Sequence, residues 1–339
     1  MRKQYEIKPT IVSKINPNNK EFKTNNSIIK ELIDIFIKTL EDNLPNEYLT
    51  TMYNNLSTLK IEHKHILIKI ISGIVTDYLI TGGYYLSENI INILPIDNKF
   101  LITKYIGISK EEYVINLYHE LLHMSSTIID EYNKIAYSGF YQTNKEDHEE
   151  IGFALDDAYT DMLLYRLFNV DHNFISYQYE IEIAKILEEI ISQDIMTNLY
   201  FTANLYELIS ILEKYHNKEN IIDFITDLDE INVLQEHSKK NKSNIIRCHH
   251  RIMIFITELY FNKLKEDILS NNLNKEEYLH KLDNYLNIIN NQYIILNLEQ
   301  DKLKSAGYKK LLKKIKELNE ITLSIFNDKS IIKKTLNKS

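Results

Sequence analysis

The chain has 339 residues, a formal net charge of −8 and 44 % hydrophobic residues. That length can bury a substantial core and suits two or three subdomains. Its charges are interleaved without a basic arm, which argues against a nucleic-acid partner, and its one cysteine, Cys248, excludes an intramolecular disulfide.

Met1-Arg2-Lys3 is followed by no apolar run of seven or more in the first thirty residues, so no secretory leader is expected and the expected compartment is the cytoplasm. A helix is expected over residues 26–43, opened at Asn26 or Ser27, in an N-terminal helical segment of residues 1–60. The most apolar run, Ile66 to Ile80, contains Lys69 and Asp77 and is too short for a membrane span. Residues 82–95 read as strands around a turn at Ser87-Glu88-Asn89, and Phe100 to Tyr105 as a further strand. The heavy use of Ile, Asn, Lys and Tyr is that of AT-rich bacterial coding.

Ser109-Lys110-Glu111-Glu112 has the S-x-x-E pattern of a helix N-terminus. About three turns later comes His119-Glu120-Leu121-Leu122-His123. Two histidines four apart lie one above the other on a helix, so both imidazoles can reach one ion. Glu120 points to the same side and can act as a general base on a water held there. Chance alone yields H-E-x-x-H in about 3 of 100 chains of this length and composition. The apolar flanks, Val114, Ile115, Leu117, Tyr118, Leu121, Leu122 and Met124, speak for burial, and buried ionisable groups need partners.

A catalytic zinc usually takes three protein ligands and leaves one position open. No third histidine follows closely, since Ser126 and Ile129 stand third and sixth after His123. Residues 133–150 read as irregular or β, ending in an exposed loop from Gln142 to Glu150. Residues 151–168 then show helical spacing of Leu155, Ala158, Met162, Tyr165 and Phe168, with Asp157 and Asp161 four apart on one face. Carboxylates on so apolar a helix are costly unless a cation or its ligands answer them. The third ligand is therefore expected from this downstream helix, whose carboxylates on that face are Asp157 and Asp161, with Glu149 and Glu150 standing just before Gly152.

With both segments in view, the chain resembles the zincin metallopeptidases of the gluzincin, thermolysin-like type. Those carry H-E-x-x-H on one helix and E-x-x-[ST]-D on the next. Asp157-Ala158-Tyr159-Thr160-Asp161 matches the second pattern with Asp in place of Glu, and Leu155-Asp156-Asp157-Ala158-Tyr159-Thr160-Asp161 tracks an L-N-E-G-x-T-E variant of it. The likeness runs from about Ser109 to Phe168. It implies His119, His123 and Asp157 as ligands of Zn2+, Glu120 as the base, and Asp161 as the residue that orients a ligand histidine. Asp is one methylene shorter than Glu, so the second helix must come about 1 Å closer to keep an oxygen 2.0–2.2 Å from zinc. The oxyanion donor is not identified; Tyr159, Tyr206, His237, His249 and His250 are candidates, the last two expected on a polar helix face beside Arg247 and Arg251.

The zincin-like core spans residues 61–170, with its small sheet offering an edge to an extended peptide. Residues 171–339 form a helical lobe, with helices expected at about 175–193, 198–216, 218–228, 243–270, 274–297 and 301–327. The fold class is therefore α+β, predominantly helical: a small sheet beside an active-site helix, then a C-terminal helical bundle. The expected activity is zinc-dependent hydrolysis of a peptide or protein substrate. The alternative is a non-catalytic zincin-scaffold binding protein or effector whose helical half recognises a protein partner.

Overall fold

The first helix begins where a side chain replaces a missing backbone partner: Asn26 Oδ1 accepts from the N–H groups of Ile28 and Ile29, and α1 runs Ser27–Asn43. The structure is a computed structural model. It describes residues 5–10, 22–63, 82–93, 109–144, 146, 149–170, 177–235, 238–302 and 305–336. Of these residues 71 % are helical and 9 % lie in strands, the predominantly helical α+β composition expected. The strand expected at Phe100 to Tyr105, the apolar run Ile66 to Ile80, and His237 fall outside them. No helix among the described residues is long and apolar enough to cross a membrane.

The chain divides into two compact units, residues 1–176 with 197–207, and residues 177–196 with 208–339. In the first unit α1 is followed by α2 (Thr50–Leu56) and a three-stranded sheet in the order β1-β3-β2. Here β1 is Lys60–His63, β2 is Gly82–Tyr85 and β3 is Ile90–Ile93; β1 runs parallel and β2 antiparallel to β3. The turn expected at Ser87-Glu88-Asn89 is a single 3-10 turn closed by left-handed Asn89, whose carboxamide takes the Tyr84 hydroxyl.

Helix α3 (Lys110–Ser126) carries the two histidines. Ser109 caps it by accepting from the Glu112 N–H at 3.0 Å. Apolar Leu117, Leu121, Leu122 and Met124 are wholly buried, because the helix packs against α2, β2 and the later helix α4. Its C-terminal end is tied down by Asn55, which donates to the carbonyls of Met124 and Thr127.

A four-stranded antiparallel meander follows: β4 (Thr127–Asp130), β5 (Ile135–Ser138), β6 (Tyr141–Asn144) and β7 (Glu150–Ile151). The stretch expected as an exposed loop from Gln142 therefore starts inside a strand, and Gln142 is buried. Its carboxamide accepts from the Lys8 N–H and donates to the Glu6 carbonyl, bracketing the buried side chain of Ile7. A polar residue is tolerated there because both ends of its amide are paired. Helix α4 (Phe153–Phe168) then lies against α3 and α1, where Phe36, Tyr118 and Phe168 form an aromatic cluster with centroids 4.7–5.5 Å apart.

Among its described residues the second unit is built of helices: α5 (Gln178–Ile191), α8 (Lys218–Gln235), α9 (Ser238–Leu269), α10 (Lys275–Ile295), α11 (Glu299–Lys302) and α12 (Ala306–Leu336). Two further helices, α6 (Gln193–Phe201) and α7 (Leu205–Leu212), stand where one helix was expected over 198–216. They are separate because Ala203 is left-handed and Asn204 caps α7 by accepting from the Glu207 N–H. The Asn274–Glu277 signal forms a full capping box at the start of α10.

His249 and His250 do not lie on a polar face. His249 is fully buried on α9, with its Nδ1 3.1 Å from the Tyr179 hydroxyl, and His250 is half-buried against Tyr293. The inward stripe is Ile245, Cys248, His249, Ile252, Met253 and Ile256, and the flanking arginines face elsewhere. Burial pulls the His249 pKa down to about 3. An unfolded chain takes up this proton near pH 6.5 and the folded one does not until far lower, so stability present above pH 6.5 is lost on the way down to about pH 3. The slope from this group approaches ~1.4 kcal/mol per pH unit. His249→Asn keeps an acceptor for Tyr179 and removes the titration; its urea midpoint should fall less between pH 7 and pH 4 than that of the wild type. Equal slopes would show that His249 does not govern acid stability.

Candidate metal centre

Helical spacing on α3 puts His119 and His123 side by side, with ring centroids 4.7 Å apart. Their Nε2 atoms are 3.0 Å from each other. Asp157 Oδ1, from α4, lies 3.2 Å from His123 Nε2 and 3.9 Å from His119 Nε2. Ligand atoms of a tetrahedral site with bonds of 2.0–2.1 Å stand about 3.3 Å apart. The three observed separations bracket that value, so His119, His123 and Asp157 could hold one metal ion.

The far side of each ring is also occupied. His119 Nδ1 is 2.9 Å from Asp161 Oδ1, and His123 Nδ1 is 3.1 Å from Asp156 Oδ2. A carboxylate only accepts, so each Nδ1 is the N–H donor, and in the neutral ring each Nε2 presents its lone pair. Two lone pairs and a carboxylate oxygen then converge on one point. Three electron-rich atoms in a largely buried place repel one another unless a cation stands between them.

The electrostatics agree. At His123 burial pulls the pKa down, but the hydrogen bond and charge of Asp156, then those of Asp157, outweigh it and hold the imidazole well above its ordinary value. His119 is likewise pulled down by burial and raised, on balance, chiefly by Asp161. Burial pushes Asp156 up, against its bond to His123. Positive charge is thus strongly favoured at the Nε2 atoms, whether it comes as protons or as an ion.

Pairing His119 with Asp161, and His123 with Asp157 and Asp156, means that residue number rises along one helix as it falls along the other. Adjacent positions 156 and 157 are about 100° apart around a helix. One therefore reaches the inner nitrogen of His123 and the other its outer nitrogen. Helical spacing alone assigns Asp156 no role; the signal for it is Asp156-Asp157, a carboxylate pair in an otherwise apolar segment. Asp161→Ala should weaken metal affinity by about 10–100-fold, measured by competition with a chelator. An unchanged affinity would mean that Asp161 does not orient His119.

Glu120 is half-buried on α3 between the two histidines. Glu149 and Glu150 lie at β7, where Glu150 accepts from the Tyr141 hydroxyl, and neither joins the convergent group. Tyr159 is buried with its hydroxyl on Thr197 at 3.1 Å, and Tyr206 is partly exposed on α7. His249 and His250 belong to the second unit.

A second group, Asp227, Glu230 and Cys248, also brings donor atoms together. There the Arg251 guanidinium supplies the cation, bonding both oxygens of Asp227 and reaching Glu230 at 3.4 Å. Burial pushes the Cys248 thiol up to about 12, so it is not a ready thiolate ligand.

No protein-family model, curated protein or solved structure matches this chain.

Proposed function

We propose that the protein is a zinc-dependent metallopeptidase of gluzincin type, with His119, His123 and Asp157 as ligands and Glu120 as general base. The observation that carries this reading is the convergence of His119 Nε2, His123 Nε2 and Asp157 Oδ1 at 3.0–3.9 Å, with both Nδ1 atoms anchored on aspartates. Imidazole nitrogen and carboxylate oxygen suit zinc, and three protein donors leave a corner for a substrate or water. A structural site would need no base, yet Glu120 stands between the two histidines in sequence.

His119, His123 and Asp157 would hold the zinc ion, which when bound would supply an acidified water and a Lewis acid for a substrate carbonyl. Glu120 takes the proton of the attacking water and returns it to the departing amine. Asp161 and Asp156 hold the two imidazoles in the tautomer that keeps their Nε2 lone pairs available. A peptide substrate is favoured by the sheet: among the described residues β2 is an edge strand and packs on α3, so an extended chain pairing with it would run beside the histidine helix.

The test is a crystal of the zinc-loaded protein with diffraction recorded on both sides of the zinc edge, together with a peptide-mixture digest. One anomalous peak within 2.0–2.2 Å of the three donor atoms, with metal-dependent cleavage, is the expected result. A peak elsewhere, or a fourth protein ligand closing the open corner, would sink the proposal.

A further inference from the structure

The β5–β6 turn, Gly139-Phe140, reaches the metal centre without touching it. Phe140 donates its backbone N–H to Asp156 Oδ1 at 2.9 Å, while the other oxygen of the same carboxylate faces His123 Nδ1 at 3.1 Å. Asp156 therefore accepts from two fixed donors at once. Its backbone is held too: Thr160 Oγ1 bonds the Asp156 carbonyl at 2.8 Å and lies 2.7 Å from the Tyr200 hydroxyl.

Two glycines let the turn dock this closely. Gly139 has φ +49°, and a Cβ there would stand 1.9 Å from Asp156 Oδ1 and 2.6 Å from the Tyr200 ring. Gly152, at the start of α4 with φ +87°, would carry a Cβ 2.1 Å from the Phe140 carbonyl oxygen. Any side chain at either position drives the turn and the helix apart. The contact is thus built from both sides, each glycine opening room for the other segment.

We propose that the Gly139-Phe140 turn, acting through Asp156, fixes the tautomer of His123 and so decides whether that histidine can bind the ion. The inference rests on the proposed metal site and adds a positioning element outside it. The chemistry is specific. A backbone N–H can only donate, so whichever residue stands at 156 must turn an acceptor to Phe140. In Asp156→Asn the single carbonyl oxygen is claimed by Phe140. The amide NH2 is then left facing His123 Nδ1, which must become the acceptor. The ring proton moves to Nε2, the atom that would bind the ion. A change of one atom, with almost no change of volume, thus weakens the ligand.

The experiment compares the wild type, Asp156→Asn and Gly139→Ala, each stripped with chelator. Zinc affinity is measured by competition with a chromophoric chelator, and the geometry is read from the visible absorption of the cobalt(II)-loaded proteins. Asp156→Asn should bind zinc about 10–100-fold more weakly and give an altered cobalt spectrum, with far-ultraviolet circular dichroism and metal-free melting like those of the wild type. Gly139→Ala should follow it in both metal readouts; if that variant does not fold, Asp156→Asn decides alone. A wild type that binds no metal would overturn the site and this inference together. A wild type that binds, beside an Asp156→Asn protein of equal affinity and identical spectrum, would overturn this inference alone. So would a folded Gly139→Ala protein that binds as the wild type does while Asp156→Asn is weakened.

Discussion

Glu120→Gln should keep its metal and lose peptide hydrolysis by about 10²–10⁴-fold, the usual worth of a positioned general base. The two halves of this expectation have separate causes. Metal retention follows because the convergent donors are His119, His123 and Asp157, and Glu120 is not among them. Loss of turnover follows because a carboxamide matches a carboxylate in shape but cannot take a proton from water. Gln and Glu have similar helix propensities, and residue 120 is only half-buried, so α3 should fold unchanged. Initial rates on a defined peptide mixture, read by mass spectrometry at matched zinc content, give the comparison. Full activity in the Gln variant would place the base elsewhere. Loss of zinc along with activity would make Glu120 part of the ligand set instead.

How far the site could be read in advance depended on whether its parts lay on one helix. The meeting of His119 and His123 follows from helical spacing alone, and that of Asp157 and Asp161 with them from the next helix by the same rule. Asp156 did not, because its task depends on the Phe140 N–H, and the placing of that turn against α4 is a tertiary fact. Gln142 departs from expectation for a related reason: its polar side chain signals exposure, but its partners are backbone atoms of Glu6 and Lys8, more than 130 residues away. His249 is different. Ile245, Cys248, His249, Ile252, Met253 and Ile256 repeat at helical spacing and signal its burial, against the polar face that the neighbouring arginines suggest. The break at Ala203 had a local sign in Asn204-Leu205-Tyr206-Glu207, an N-x-x-E cap with no Gly or Pro beside it. Within the histidine segment, the start of α3 at Ser109 and the passage straight into β4 at Thr127 show how little loop lies between the histidines and the strands.

Asp157→Ala should lose more metal affinity than any residue beyond the ligands can account for, and so more than the 10–100-fold expected for their hydrogen-bonding partners. Of the three convergent donors only two imidazoles would remain, 3.0 Å apart at Nε2. Asp157→Glu is the sharper comparison. The E-x-x-[ST]-D pattern carries Glu, so sequence likeness alone would have this change improve the site. Geometry argues the reverse. Asp157 Oδ1 already stands 3.2 Å from His123 Nε2, about the edge of a tetrahedral site, and a further methylene pushes the oxygen about 1 Å beyond where α4 delivers it. The expected order of zinc affinity is wild type, then Glu, then Ala. Melting curves report it independently of activity. Zinc at 100 times the dissociation constant stabilises the folded chain by about 2.7 kcal/mol, roughly 5–10 °C for a unit of this size. That rise should be full in the wild type, reduced in Asp157→Glu and absent in Asp157→Ala at the same zinc concentration. A Glu variant that bound more tightly than the wild type would mean that α4 stands further from the histidines than these distances give. An Ala variant with the full rise would remove Asp157 from the ligand set and, with it, the three-donor centre on which the proposed hydrolysis depends.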